Sequence, residues 1–138
     1  MLPLRQLRQH ERLQLRPVTA SLPVSSITGA DRDAFWAHCR NALGIARLLV
    51  QEGRAIGLVD TACYLTVDSA CRAGLAQAGR AYDGDPARAL VSLAAPRELW
   101  PPPERPSSAH ERLRLTERVV AWIAAYLRSE APEHRWGY

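Results

Sequence analysis

Between Ala46 and Gly79 the chain reads ARLLVQEGRAIGLVDTACYLTVDSACRAGLAQAG, two runs of small and aliphatic residues at helical spacing around a Gly-Arg corner. Gly53 stands where the first run should stop, supplying the left-handed residue that ends a helix, so the stretch predicts an antiparallel helical hairpin. Upstream, Phe35, Cys39, Ala42, Ala46, Leu49 and Val50 recur three or four residues apart and mark the inward face of a helix starting near Thr28 or Asp31. Thr28 and Asp31 have the spacing of a capping box. In the second arm Ile56, Val59, Cys63, Val67, Ala70 and Gly74 form one stripe, which Leu58, Ala62 and Leu65 widen. That breadth predicts a central helix covered on more than one side.

Two further helices follow. Asp85-Pro86 pairs a capping residue with a proline at the first helical position, and Pro96 keeps this helix short. Ser108 and Glu111 have capping-box spacing ahead of a helix whose core stripe is Leu113, Val120, Ile123 and Leu127, flanked by Val119, Trp122 and Tyr126. Leu99-Trp100 and the prolines at 101, 102, 103 and 106 form a stiff connector between them. The expected fold is all-α, an antiparallel four-helix up-and-down bundle over residues 28–130, preceded by a basic arm or short helix and linker (1–27) and followed by a tail (131–138). The arm carries Arg5, Arg8, Arg12 and Arg16 against Glu11 among regularly spaced leucines. It reads as an amphipathic segment that lies across the bundle or reaches a partner. The aromatic tail EHRWGY is either a partner contact or a cover over the bundle.

Composition removes several function classes. At 138 residues, with 47% hydrophobic and 23% charged residues, the chain is in the range of a single globular domain. No apolar run approaches the roughly 18 residues of a membrane span, and no signal-peptide core is evident, which predicts a soluble, cytoplasmic protein. Cys39, Cys63 and Cys71 form no C-x-x-C pair and fall on inward helix faces, as expected of reduced core thiols. His10, His38, His110 and His134 are scattered, so no metal site and no cofactor is expected. P-loop and nucleophile-elbow motifs are missing as well. All 18 basic residues are arginine and the net charge is +4, compatible with phosphate binding and equally with a solvated surface.

The hairpin resembles the central hairpin of the HEPN family, small helical bundles with an Ala-rich helix ending in Leu-Leu-x-x-Gly and a second helix carrying an acidic residue and a small/basic pattern before a glycine. Leu48-Leu49, Gly53 (one residue later than that spacing), Asp68, Arg72 and Gly79 stand at those places, over about a quarter of the chain. The resemblance implies a homodimer that binds RNA or a nucleotide, or a partner nucleotidyltransferase in a toxin–antitoxin-type pair. Arg47, Arg54 and Arg72 are then the candidate binding residues. Some family members are metal-independent RNases with Arg-x(4–6)-His near the start of the last helix, which here matches Arg105 and His110. In that reading His110 is the general acid/base for 2′-OH attack and Arg105 holds the phosphate. The same spacing also occurs at Arg5/His10, Arg32/His38 and Arg128/His134, and Pro106 replaces the polar residue that usually follows the arginine. A binding bundle is therefore expected ahead of an RNase, and a purely structural assembly protein is the third alternative.

Overall fold

The structure, a computed structural model, describes residues 29–100 and 108–137. It is an all-α four-helix bundle: α1 (Gly29–Gln51), α2 (Ile56–Ala78), α3 (Pro86–Ser92) and α4 (Ala109–Glu130), with a 3-10 turn at Arg97–Leu99. No strand occurs among the described residues. The N-terminal arm, Thr28 and the proline connector from 101 to 107 lie outside the described residues, as does Tyr138.

Local chemistry accounts for the helix ends. Gly53 has φ 67°, and behind it Arg54 N–H reaches back to the Leu49 carbonyl at 2.9 Å, closing the last carbonyls of α1. Gly79 ends α2 in the same way at φ 69°, with Arg80 N–H on the Leu75 carbonyl. Asp85 caps α3 by accepting from Ala87 N–H at 3.0 Å, and Ser108 Oγ caps α4 by accepting from Glu111 N–H at 3.1 Å.

The order of the long helices follows from contacts between their ends. Asp60, near the start of α2, pairs with Arg112 near the start of α4 at 3.2 Å, and Gly74 of α2 lies against Ile123 further along α4. The two helices therefore run parallel. Helix α1 runs opposite to both, because its late residue Arg47 meets Glu117 of α4 while its early residue Arg32 meets Gln77 of α2 and His134 beyond α4. The short α3 and the 3-10 turn follow α2 in the chain and precede α4.

The main core joins Trp36, Cys39 and Leu43 of α1, Val67, Ala70, Cys71 and Leu75 of α2, Leu90 and Leu93 from α3 and its end, and Val119, Val120, Ile123 and Leu127 of α4. A smaller cluster of Ala46, Val50, Val59, Ala62 and Cys63 fills the hairpin end. At Gly74 an added Cβ would stand 2.7 Å from Leu93 Cδ1 and 3.3 Å from Ile123 Cδ1, so the glycine opposes its own helix propensity in order to admit both neighbours. The two fully buried threonines satisfy their hydroxyls within the helix, Thr66 donating to the Ala62 carbonyl at 2.7 Å and Thr116 to the Arg112 carbonyl at 2.9 Å.

Two expectations need correction. Leu58 and Leu65, read as widening the buried stripe of α2, are about half exposed, and so is Ile56 at its start. The packed face of α2 is already occupied by α1 and α4, and neither reaches around to the Leu58/Leu65 flank. Conversely Trp36 and Leu43, left off the inward stripe of α1, are buried, whereas Phe35, Ala42 and Leu49 are only half-buried.

All three cysteines are free and buried. Burial pushes the Cys39 thiol up to about 12, and burial raises the Cys71 and Cys63 thiols too. The folded chain then holds these protons more tightly than the unfolded chain, whose thiols ionise near pH 8.5. The stability this confers is complete below that pH and declines as pH rises. Denaturant melts should be level around pH 7–8 and fall above about pH 9, and substituting Cys39 and Cys71 by Ala should shallow that alkaline slope.

Candidate functional site

The closed end of the hairpin concentrates most of the unusual surface. Among the described residues seven large hydrophobic side chains are substantially exposed, and six of them, Ile45, Leu48, Ile56, Leu58, Tyr64 and Leu65, sit on the last two turns of α1 and the first three of α2. Each is between 44% and 55% exposed. Leu58 and Leu65 are seven residues apart and so share one face of α2, from which Tyr64 is turned by about 100°, while Ile56 lies on nearly the opposite side.

Charged residues border this end, and most are already paired. Arg47 bonds Glu117 at 2.8 Å, Arg112 bonds Asp60 at 3.2 Å with its guanidinium 5.0 Å from the Trp100 ring, and Arg54 stands 3.8 Å from Glu52. Exposed apolar side chains next to charges that already neutralise one another suit a protein-binding surface.

The sequence-derived site residues separate. Arg47 and Arg54 lie at the hairpin end, and His110 joins them there, exposed in the first turn of α4. Arg105 lies outside the described residues, so its placement relative to His110 is not described. Arg72 sits far along α2, about 18 Å beyond the level of Asp60 by helical rise. Its Nε donates to Asp68 at 2.7 Å, and its guanidinium covers the Tyr82 ring at 4.7 Å. Tyr82 in turn donates its hydroxyl to Asp68 at 2.8 Å. Burial first, and then the hydrogen bond to Asp68, hold the Tyr82 phenol well above its ordinary range. This cluster fastens the loop after α2 to the helix, and Arg72 is a structural residue within it.

Arg114 and Arg118 were not singled out in the sequence. With Ser108, Glu111 and Leu115 they line a shallow cleft of about 310 Å³ on α4. Both arginines are exposed and make no ion pair among the described residues. Their four-residue spacing, which puts both on one helix face, was the available signal. Among the described residues no group of three or more His, Cys, Asp or Glu is placed to hold a metal ion, and no helix is long and apolar enough to cross a membrane. Comparison with protein families, with curated proteins and with solved structures finds no match for this chain.

Proposed function

We propose that this chain is a HEPN-like helical-bundle protein that works by binding: it pairs with a second copy of itself through the closed end of the hairpin and presents arginines of α4 to RNA or a nucleotide. The observation that carries the reading is that six exposed large hydrophobics stand at one end of one hairpin, Leu58 and Leu65 on a single face, where most of the neighbouring charges are already paired. Those paired charges have little left to offer an ionic partner, whereas the apolar side chains gain by being covered. Self-association through such a face is isologous, so each substitution acts twice in the dimer. The cleft of Arg114 and Arg118 lies on a different helix and supports a phosphate ligand, because guanidinium groups bind phosphate oxygens bidentately.

Sedimentation of the full chain across a dilution series should show a monomer–dimer equilibrium. Leu58→Glu combined with Leu65→Glu should shift it toward monomer by at least about 30-fold in Kd, the scale of a lost hot spot, while leaving the helical signal unchanged. A wild-type chain that is monomeric throughout and recovers a nucleotidyltransferase when expressed with its neighbouring gene would move the surface to that partner. A monomer that binds neither would remove the reading.

Exposure of His110 in the first turn of α4 favours the RNase as the second reading. Under the binding proposal, single-stranded RNA incubated with the protein in EDTA stays intact and anisotropy reports salt-sensitive binding weakened by Arg114→Glu. Cleavage that His110→Ala abolishes would establish the catalytic reading in its place.

A further inference from the structure

The C-terminal tail closes over the open end of the bundle, opposite the proposed interface. Trp136 is buried, edge-on to Trp36 with ring centroids 6.1 Å apart, and its indole donates to the Ala131 carbonyl at 3.0 Å. Trp36 donates its own indole N–H to the Gly137 carbonyl at 3.1 Å, and Arg128 holds the Trp136 carbonyl at 3.3 Å. Beneath the tail lies Arg32, nearly buried. Its Nε bonds Asp33 at 3.0 Å, its Nη1 bonds Gln77 at 2.7 Å, and its guanidinium covers the Trp136 ring at 5.0 Å. The remaining nitrogen, Nη2, stands 2.8 Å from Nε2 of His134.

Arginine can only donate, so His134 Nε2 must accept, and the ring must be neutral with its proton on Nδ1. We propose that this contact makes the tail a proton-sensitive latch: protonation of His134 replaces the acceptor by an N–H aimed at a fixed cation and releases residues 131–137 from α1. Arg32 cannot turn aside without abandoning Asp33, Gln77 and the Trp136 ring. The His134 ring is 41% exposed, so protons reach it, and Glu133 Oε1 at 3.7 Å offers the imidazolium another partner once the ring leaves Arg32. Among the described residues the charged groups against the imidazole are Arg32 from α1 and Glu133 from the tail, with the Trp136 ring 5.4 Å away, while Asp33 and neutral Gln77 of α2 hold the same guanidinium and Arg128 of α4 holds the tail at the Trp136 carbonyl. Histidine is the side chain that changes charge across the physiological range, which makes it suited to such a switch. Opening the latch uncovers Trp36 and Arg32 and frees an Arg-Trp-Gly segment.

The test follows the Trp36 and Trp136 indole N–H resonances of the full chain from about pH 8 to about pH 5, alongside far-UV circular dichroism. The wild type should lose the protected indole signals in one transition with helix content unchanged. His134→Gln, which accepts from Arg32 and does not titrate, should keep them protected throughout, and His134→Arg should show the released signals already at about pH 8. An unshifted wild type, an equal transition in His134→Gln, or a docked tail in His134→Arg would each overturn the proposal. The last arm decides the matter even if acid unfolds the whole bundle.

Discussion

Ile123→Ala is expected to destabilise the bundle by about 2–5 kcal/mol, the range for removing a large buried aliphatic side chain. Ile123 is fully buried in the main core, and its Cδ1 and Cγ2 fill the space above Gly74 that also receives Leu93. Truncation therefore opens a cavity at the meeting point of α2, α4 and the end of α3. The backbone cannot close it, because the three elements are held apart by their other contacts. Urea denaturation followed by circular dichroism measures the loss as a lower midpoint at unchanged slope. The site also predicts a coupling. Gly74→Ala alone crowds Ile123 and Leu93, so combined with Ile123→Val, which removes the nearer Ile123 atom, it should cost less than the sum of the two single changes. Additive costs would show that Leu93 alone sets the limit at Gly74.

Asp68→Ala should cost about 2–4 kcal/mol, somewhat below or within the range for breaking a buried ion pair by removing one partner. The Asp68 side chain is 14% exposed and that of Arg72 23%, so the guanidinium left behind is poorly hydrated. Arg72 Nη1 is already buried without a hydrogen-bond partner, and losing Asp68 would leave Nε in the same condition. The Tyr82 hydroxyl would lose its acceptor as well. Asp68→Asn separates charge from geometry. It retains an acceptor for Tyr82 but no anion for Arg72, and should recover part of the loss. Full recovery would mean that the charge contributes nothing and the hydrogen bonds everything. Thermal or urea melts of the three proteins at one ionic strength are sufficient to decide.

Much of the fold was legible because its punctuation is local. Gly53 ends α1 through its own backbone angle, Asp85-Pro86 starts α3, and Ser108 with the Glu111 amide starts α4; none of these depends on what the helix packs against. The site was less legible. Arg47, Arg54 and Arg72 were chosen by residue type and position, yet Arg47 is engaged by Glu117 and Arg72 by Asp68 and Tyr82. Two of these partners lie on other segments of the chain, and no spacing rule pairs residues that far apart. Leu58 and Leu65 show the converse error: periodicity identifies an apolar face, but it does not count the neighbours available to cover it.

The sequence by itself determined the all-α class, the hairpin, the order of the helices and the capping residues of α3 and α4, because helical periodicity and end chemistry are properties of adjacent residues. Only the tertiary structure decided that the Leu58/Leu65 flank stays open, that Arg72 fastens a loop, and that the tail folds back so that His134 meets Arg32 across 102 positions. Such outcomes depend on which surfaces meet once the helices pack, and a burial pattern along one helix does not encode its partner.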